Sequence, residues 1–183
     1  MIEQARQRFA GPGFAGDFRV QDMAELDLGR QFDVVLCLFD SIGYTQTNER
    51  LQSFLKRVRD HLRPGAVFAF EFWHAAAMLG GFDPVRVRRF ASDAGDVVRI
   101  SETSLRAAEQ LSDVRYTVFE PSGDGRYVQF EETQTNRYFL LPEMEMHLTA
   151  AGLTAESWFA GYEAGAPVTS DTWHVVCVAR RSS

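Results

Sequence analysis

Phe32-Asp33-Val34-Val35-Leu36-Cys37-Leu38-Phe39 is the stretch on which the fold turns. Its apolar residues are nearly continuous and rich in β-formers. An uninterrupted apolar run of this length suits a strand covered on both faces, as in a parallel sheet, so Gln31–Phe39 is expected to be such a strand. Downstream, Leu51, Leu55, Val58 and Leu62 recur at helical spacing. Glu49 lies in the first turn and Pro64-Gly65 stops the chain, which predicts a helix over Asn48–Leu62. Ala66–Trp73 reads as a second buried strand. Strand, helix and strand with short connections make a βαβ unit, whose strands are parallel and whose crossover is right-handed. Upstream, Met1–Phe9 has Ile2 and Ala5 on one side and Glu3 and Arg6 on the other. It predicts a short helix ended by Gly11-Pro12-Gly13, and Phe18–Gln21 a short extended run stopping at Asp22.

Beyond Trp73 the pattern changes. Val85–Phe90, Val97–Arg106, Val114–Glu120 and Arg126–Leu140 alternate apolar with polar, and Ser122-Gly123-Asp124-Gly125 is a good hairpin turn. An antiparallel unit of three or four strands is expected. Pro142–Ala151 then predicts a helix, with Pro142, Glu143 and Glu145 near its start and Gly152 closing it. Leu153–Phe159 and Thr172–Arg180 predict two last strands, joined by a polar loop over residues 160–171. The fold class is therefore α/β. Residues 1–183 form one domain, with residues 85–140 as an antiparallel insertion.

The chain has 183 residues and a net charge of −6. That balance argues against nucleic acid, whose binding rests on basic side chains neutralising phosphates. The longest apolar runs fall far short of the roughly 20 residues a membrane helix needs, so no membrane association is expected. Met1–Phe9 is charged and lacks the apolar core of a signal peptide, which points to the cytoplasm. Cys37 and Cys177 lie far apart in apolar runs and read as small buried hydrophobes. Four scattered histidines with no carboxylate cluster predict no metal site.

In open α/β sheets, ligands bind outside the carboxyl ends of the parallel strands. That rule selects Val20-Gln21-Asp22-Met23, then Leu38-Phe39-Asp40-Ser41-Ile42-Gly43-Tyr44, then Glu71-Phe72-Trp73-His74. In this order the stretches resemble the class I S-adenosylmethionine-dependent methyltransferases. Gln21-Asp22-Met23 resembles the family's loop after its third strand, Phe32–Phe39 its fourth strand, and Arg59–Ala66 the helix end and Pro-Gly turn before its fifth. Met1–Arg6 looks like the helix after its second strand. The Phe39–Tyr44 segment and the insertion before Pro142 are similar to small-molecule N-methyltransferases, including those acting on nucleotide-linked aminosugars.

The resemblance implies a Rossmann-like methyltransferase sheet lacking its first strands, with S-adenosylmethionine as cofactor and a small-molecule acceptor carrying an amine. The family's first strand, its glycine-rich loop and the acidic residue ending its second strand have no counterpart ahead of Asp22. That departure implies weak cofactor affinity and an unpaired edge beside Phe32–Phe39. A truncated start, or a second copy filling the gap in a homodimer, would account for it. Two other readings stay open: a non-catalytic ligand-binding or dimerisation module of the same fold, and a curved antiparallel sheet that binds an apolar ligand.

On this reading Asp22 meets the adenine amino group, with the Met23 backbone on the ring. Leu38, Phe39 and Ser41 face the methionine part of the cofactor. Asp40 attracts or orients the amine, and His74 takes its proton. Tyr44, Trp73 and Arg137 contact the acceptor, Arg137 through an anionic group. Several have an ordinary alternative. Asp22 and Asp40 suit a loop or turn, Tyr44 suits packing, His74 suits a partly exposed structural position, and Arg137 suits a solvated strand face. A dedicated base is also dispensable, because holding nucleophile and methyl in line lowers most of such a barrier.

Overall fold

The computed structural model describes residues 2–9, 11, 16–122 and 124–182. Met1, Pro12, Gly13 and Gly123, which figure in the expected first helix, its stop and the hairpin turn, lie outside the described residues. Helix α1 spans Ile2–Arg8. The βαβ unit is β1 (Phe32–Cys37), α2 (Asn48–His61) and β2 (Leu62–Trp73). Thr47 caps α2 by accepting a hydrogen bond from the Arg50 N–H. A short helix α3 (Ala75–Gly80) follows, then β3 (Val85–Ser92), β4 (Gly95–Arg106), β5 (Leu111–Pro121) and β6 (Tyr127–Arg137). Helix α4 (Leu141–Ala150) and strands β7 (Leu153–Ala160) and β8 (His174–Arg181) finish the chain.

Two four-stranded sheets result, ordered β1-β2-β8-β7 and β3-β4-β5-β6. β1 runs parallel to β2, as the βαβ pattern requires, with Val34 beside Val67 and Cys37 beside Phe70. This excludes the wholly antiparallel reading. The second sheet is antiparallel throughout, which is the expected insertion. The sheets are stitched where β2 ends. Phe139 N–H donates to the Trp73 carbonyl (2.9 Å) and Ala75 N–H to the Phe139 carbonyl (2.8 Å).

One face of the first sheet holds the core. Phe68, Phe70 and Phe72 are fully buried, their rings stacked at 4.7 and 6.0 Å. Leu51, Leu55 and Val58 of α2 and Met144 and Leu148 of α4 join them in one cluster. Three expectations need correction. β1 is covered on one face only: Val34 and Leu36 are 54% and 60% exposed, because α2 and α4 both pack on the side of Val35 and Cys37. Phe18–Gln21 makes no strand. Pro64-Gly65 does not separate helix from strand, since Leu62 already opens β2. β1 has an unpaired edge among the described residues.

Candidate active site

At the carboxyl end of β1 the chain turns sharply. Phe39 and Asp40 both take left-handed backbone, with φ of 55° and 54°, a conformation that is uncommon outside glycine and concentrates at functional sites. A 3-10 turn over Ser41–Thr45 follows. Gly43 is required in it: a Cβ there would lie 2.9 Å from both Asp40 Oδ2 and the Arg137 carbonyl. The turn drives the Asp40 carboxyl inward until it is 2% exposed. Its Oδ1 accepts from the Trp73 N–H (3.1 Å) and its Oδ2 from Asn136 Nδ2 (2.6 Å). Burial pushes this carboxyl up to about 8 and the charge of Glu71 adds to the rise, while the two hydrogen bonds oppose it.

Glu71 is the second buried acid, also 2% exposed. Both of its oxygens are engaged. Oε2 accepts from the Phe39 N–H (3.0 Å) and from the Tyr162 hydroxyl, and Oε1 lies 2.5 Å from His174 Nδ1. A carboxylate on Nδ1 fixes the proton there and leaves Nε2 with its lone pair. The His174 side chain is 49% exposed. Strand pairing builds this contact: His174 stands opposite Trp73 in the β2–β8 ladder, so it shares a face with Glu71.

These groups face a cleft of ≈ 230 Å³. The first sheet and its turn supply Phe39, Asp40, Tyr44, Glu71, Trp73 and His174, and β5 and β6 close it with Val114, Tyr116, Gln134 and Asn136. The insertion thus covers the strand ends. On the other side of the Leu38–Ser41 turn lies a groove of ≈ 420 Å³, walled by Met23, Leu26, Val35, Leu38 and Phe54 and rimmed by polar residues including Gln21 and Ser41.

The residues expected from sequence divide into those the structure brings together and those it does not. Asp40, Phe39, Tyr44 and Trp73 line the cleft, and Met23, Leu38 and Ser41 line the groove. The Ser41 hydroxyl is bound to the Leu38 carbonyl (2.7 Å). Asp22 caps the 3-10 turn at Met23–Glu25 and grips Arg50 through both oxygens (2.8 and 2.9 Å). That guanidinium foremost holds its carboxyl below the usual range. His74 lines neither cavity. It is 7% exposed, starts α3 and points Nδ1 at the Thr172 carbonyl (3.2 Å), with burial holding its pKa down. Arg137 is no solvated strand residue and no cleft residue either: it is buried against Glu143 (2.6 Å) and over the Phe139 ring. Glu71, Asn136 and His174 were missed as site residues. An acid inside the apolar run of β2 was a visible signal for Glu71. The contact with His174 was not, because it depends on pairing across 103 residues of chain.

Among the described residues no group of three or more His, Cys, Asp or Glu is placed to hold a metal. Both cysteines are buried and free, with burial pushing the Cys37 thiol up to about 12.

A family model described as a methyltransferase domain matches residues 1–65. A dTDP-3-amino-3,4,6-trideoxy-alpha-D-glucopyranose N,N-dimethyltransferase of Streptomyces venezuelae is 32% identical over 136 residues, 74% of this chain and 56% of that protein. The structure of Streptomyces venezuelae DesVI superposes with a TM-score of 0.72 at 28% identity, covering 96% of this chain and 68% of that one. Residues 1–65 thus match a methyltransferase domain, and the chain has the fold of solved methyltransferases. A S-adenosylmethionine-dependent methyltransferase from Clostridium acetobutylicum shares the fold with a TM-score of 0.86 at 22% identity, over 99% of this chain and 71% of that one. The chain spans about half the length of the curated methyltransferases it matches. Among its described residues no helix is long and apolar enough to cross a membrane.

Proposed function

We propose that this methyltransferase chain serves the transfer of methyl from S-adenosylmethionine to the amine of a nucleotide-linked aminosugar. The observation that carries the reading is the pair of cavities flanking the Leu38–Ser41 turn: an apolar groove on one side, and on the other a cleft holding a buried aspartic acid and a carboxylate-held histidine. The names of the sugar N,N-dimethyltransferases supply the acceptor class.

The groove suits the cofactor chemically. Met23, Leu26 and Phe54 offer apolar walls for a purine, Gln21 and the Met23 backbone offer polar groups at the rim, and Asp22 would share its carboxylate with Arg50. Leu38, Phe39 and Ser41 would border its methionine end. When bound there, the cofactor supplies an electrophilic sulfonium methyl. The cleft residues do the rest. Tyr44, Trp73 and Tyr116 enclose the sugar and exclude water. Asp40, with Asn136 behind it, orients the amine. An amine arriving protonated loses its proton to His174 Nε2, and Glu71 stabilises the resulting imidazolium. The neutral amine then has a lone pair free to take the methyl group.

Self-association is the finer part of the proposal. Val34 and Leu36 lie exposed on a strand that has an unpaired edge among the described residues, the kind of surface that templates pairing with another chain. Cofactor binding is tested by calorimetric titration of the chain with S-adenosylhomocysteine. A saturable heat that disappears in a Met23→Asp variant is expected. The reading fails if no heat appears at millimolar ligand.

A further inference from the structure

The inner wall of the cleft does not stop at the cleft. In the antiparallel register Asn136, Gln134 and Glu132 of β6 lie on one face with Val114 and Tyr116 of β5, and that face runs on outward along the sheet. One row beyond Tyr116, Arg88, Arg99, Val118 and Phe130 stand side by side on β3, β4, β5 and β6. Two residues along a strand advance it by about 7 Å, a step of the order of one sugar ring.

Arg88 and Arg99 are direct cross-strand partners on this face. Like charges placed opposite each other destabilise a sheet, and among the described residues neither arginine has a carboxylate within ion-pair distance. Most other arginines on the insertion and around it do have one: Arg106 holds Asp113 and Glu109, Arg115 holds Glu102, and Arg137 holds Glu143. Arg99 is held in place all the same. Its guanidinium lies 5.2 Å from the Tyr116 ring centre and 5.5 Å from that of Phe90, and its Nε is buried without a hydrogen-bond partner. An unmatched buried donor is costly. Around it lies a cavity of ≈ 300 Å³, lined by Arg99, Tyr116, Val118, Phe130, Glu132 and Gln134. Tyr116 and Gln134 also line the acceptor cleft, so the two spaces share a wall.

We infer that Arg99, with Arg88 opposite, forms an anion subsite that holds the diphosphate of a nucleoside-diphosphate-linked acceptor while its sugar occupies the cleft. The guanidinium fork matches phosphate oxygens bidentately, and stacking between Phe90 and Tyr116 keeps it oriented before the ligand arrives. Glu132, the one acid lining this cavity, is engaged by Gln134 Nε2 (3.0 Å). Arg86, one row nearer the cleft and stacked over Trp173, adds positive potential at the same edge. The inference rests on the acceptor class proposed above and goes beyond it by naming where the charged half of the acceptor sits.

The test is binding, read without turnover. Thymidine 5′-diphosphate is titrated into the chain and into Arg99→Gln and Arg88→Gln variants, with thymidine and inorganic pyrophosphate as separate arms. Folding of each variant is checked by its thermal midpoint. The expected result is binding of the nucleoside diphosphate that weakens at least tenfold in Arg99→Gln, less in Arg88→Gln, and falls with added salt. Thymidine should bind weakly and equally to all three proteins. Tighter binding of pyrophosphate than of the nucleotide would assign the site to free phosphates and overturn the inference. So would nucleotide binding that is equal in all three proteins, or absent from the parent. S-adenosylhomocysteine titrated in parallel separates the two claims. Cofactor binding without diphosphate binding removes only the subsite, and diphosphate binding without cofactor binding removes only the methyl-transfer reading.

Discussion

Asp40 is a carboxyl that folding keeps protonated. In an unfolded chain an aspartate titrates near 3.9, whereas buried between Trp73 and Asn136 this one is pushed up to about 8. Between those values the folded chain holds a proton that the unfolded chain has lost. Stability therefore falls as pH rises from about 4 to about 8, by up to roughly 1.4 kcal/mol per unit, and the effect levels off above that. Asp40→Asn keeps the shape and removes the titration. Denaturant unfolding at pH 5 and pH 8 should show a shallower pH slope in the variant; an unchanged slope would contradict the buried protonation. His174 yields a different prediction. His174→Gln can still donate to Glu71 but cannot accept a proton. Its turnover should fall roughly 10²–10⁴-fold near neutral pH and recover as pH approaches the pKa of the acceptor amine. A loss of equal size at every pH would make His174 a packing residue. The sequence was legible for Asp40 and Tyr44, which follow β1, and for Trp73, which ends β2; all three line the cleft. It was misleading for His74, whose place beside Trp73 in sequence suggested the cleft but whose ring turns away to the Thr172 carbonyl.

β1 is the element that most separates expectation from structure. Its apolar run announced a strand with two covered faces, and only one is covered. Composition records that a residue tolerates burial, not which neighbour supplies it; α2 and α4 both pack on the same side. The parallel β1–β2 pairing and the antiparallel insertion were legible, because period and turn chemistry are local signals. Helix α3 and the 3-10 turn at Ser41–Thr45 were not, being too short to show a period. An exposed apolar edge has a measurable consequence. Sedimentation of the parent chain should show self-association that rises with concentration, and Val34→Lys should reduce it while changing stability by less than about 1 kcal/mol. A parent chain that remains monomeric throughout, or a variant that associates equally, would remove β1 as the contact.

For the whole molecule, the two sheets divide the labour. The β1-β2-β8-β7 sheet carries the core and presents Asp40, Glu71 and His174 at one end. The β3-β4-β5-β6 sheet closes over them and continues outward to the arginine row. Fold class could be read from strand order, and the strand ends pointed to Asp40, Tyr44 and Trp73, which line the cleft. The Glu71–His174 and Asp40–Asn136 contacts could not, since they join residues about a hundred positions apart. The proposed methyl transfer to a nucleotide-linked aminosugar is tested by mass spectrometry of a dTDP-linked aminosugar incubated with the chain and S-adenosylmethionine. The expected product carries an added methyl group on the amine, its formation depends on His174, and S-adenosylhomocysteine forms in equal amount. An acceptor recovered unchanged at saturating cofactor, with no S-adenosylhomocysteine produced, would contradict it.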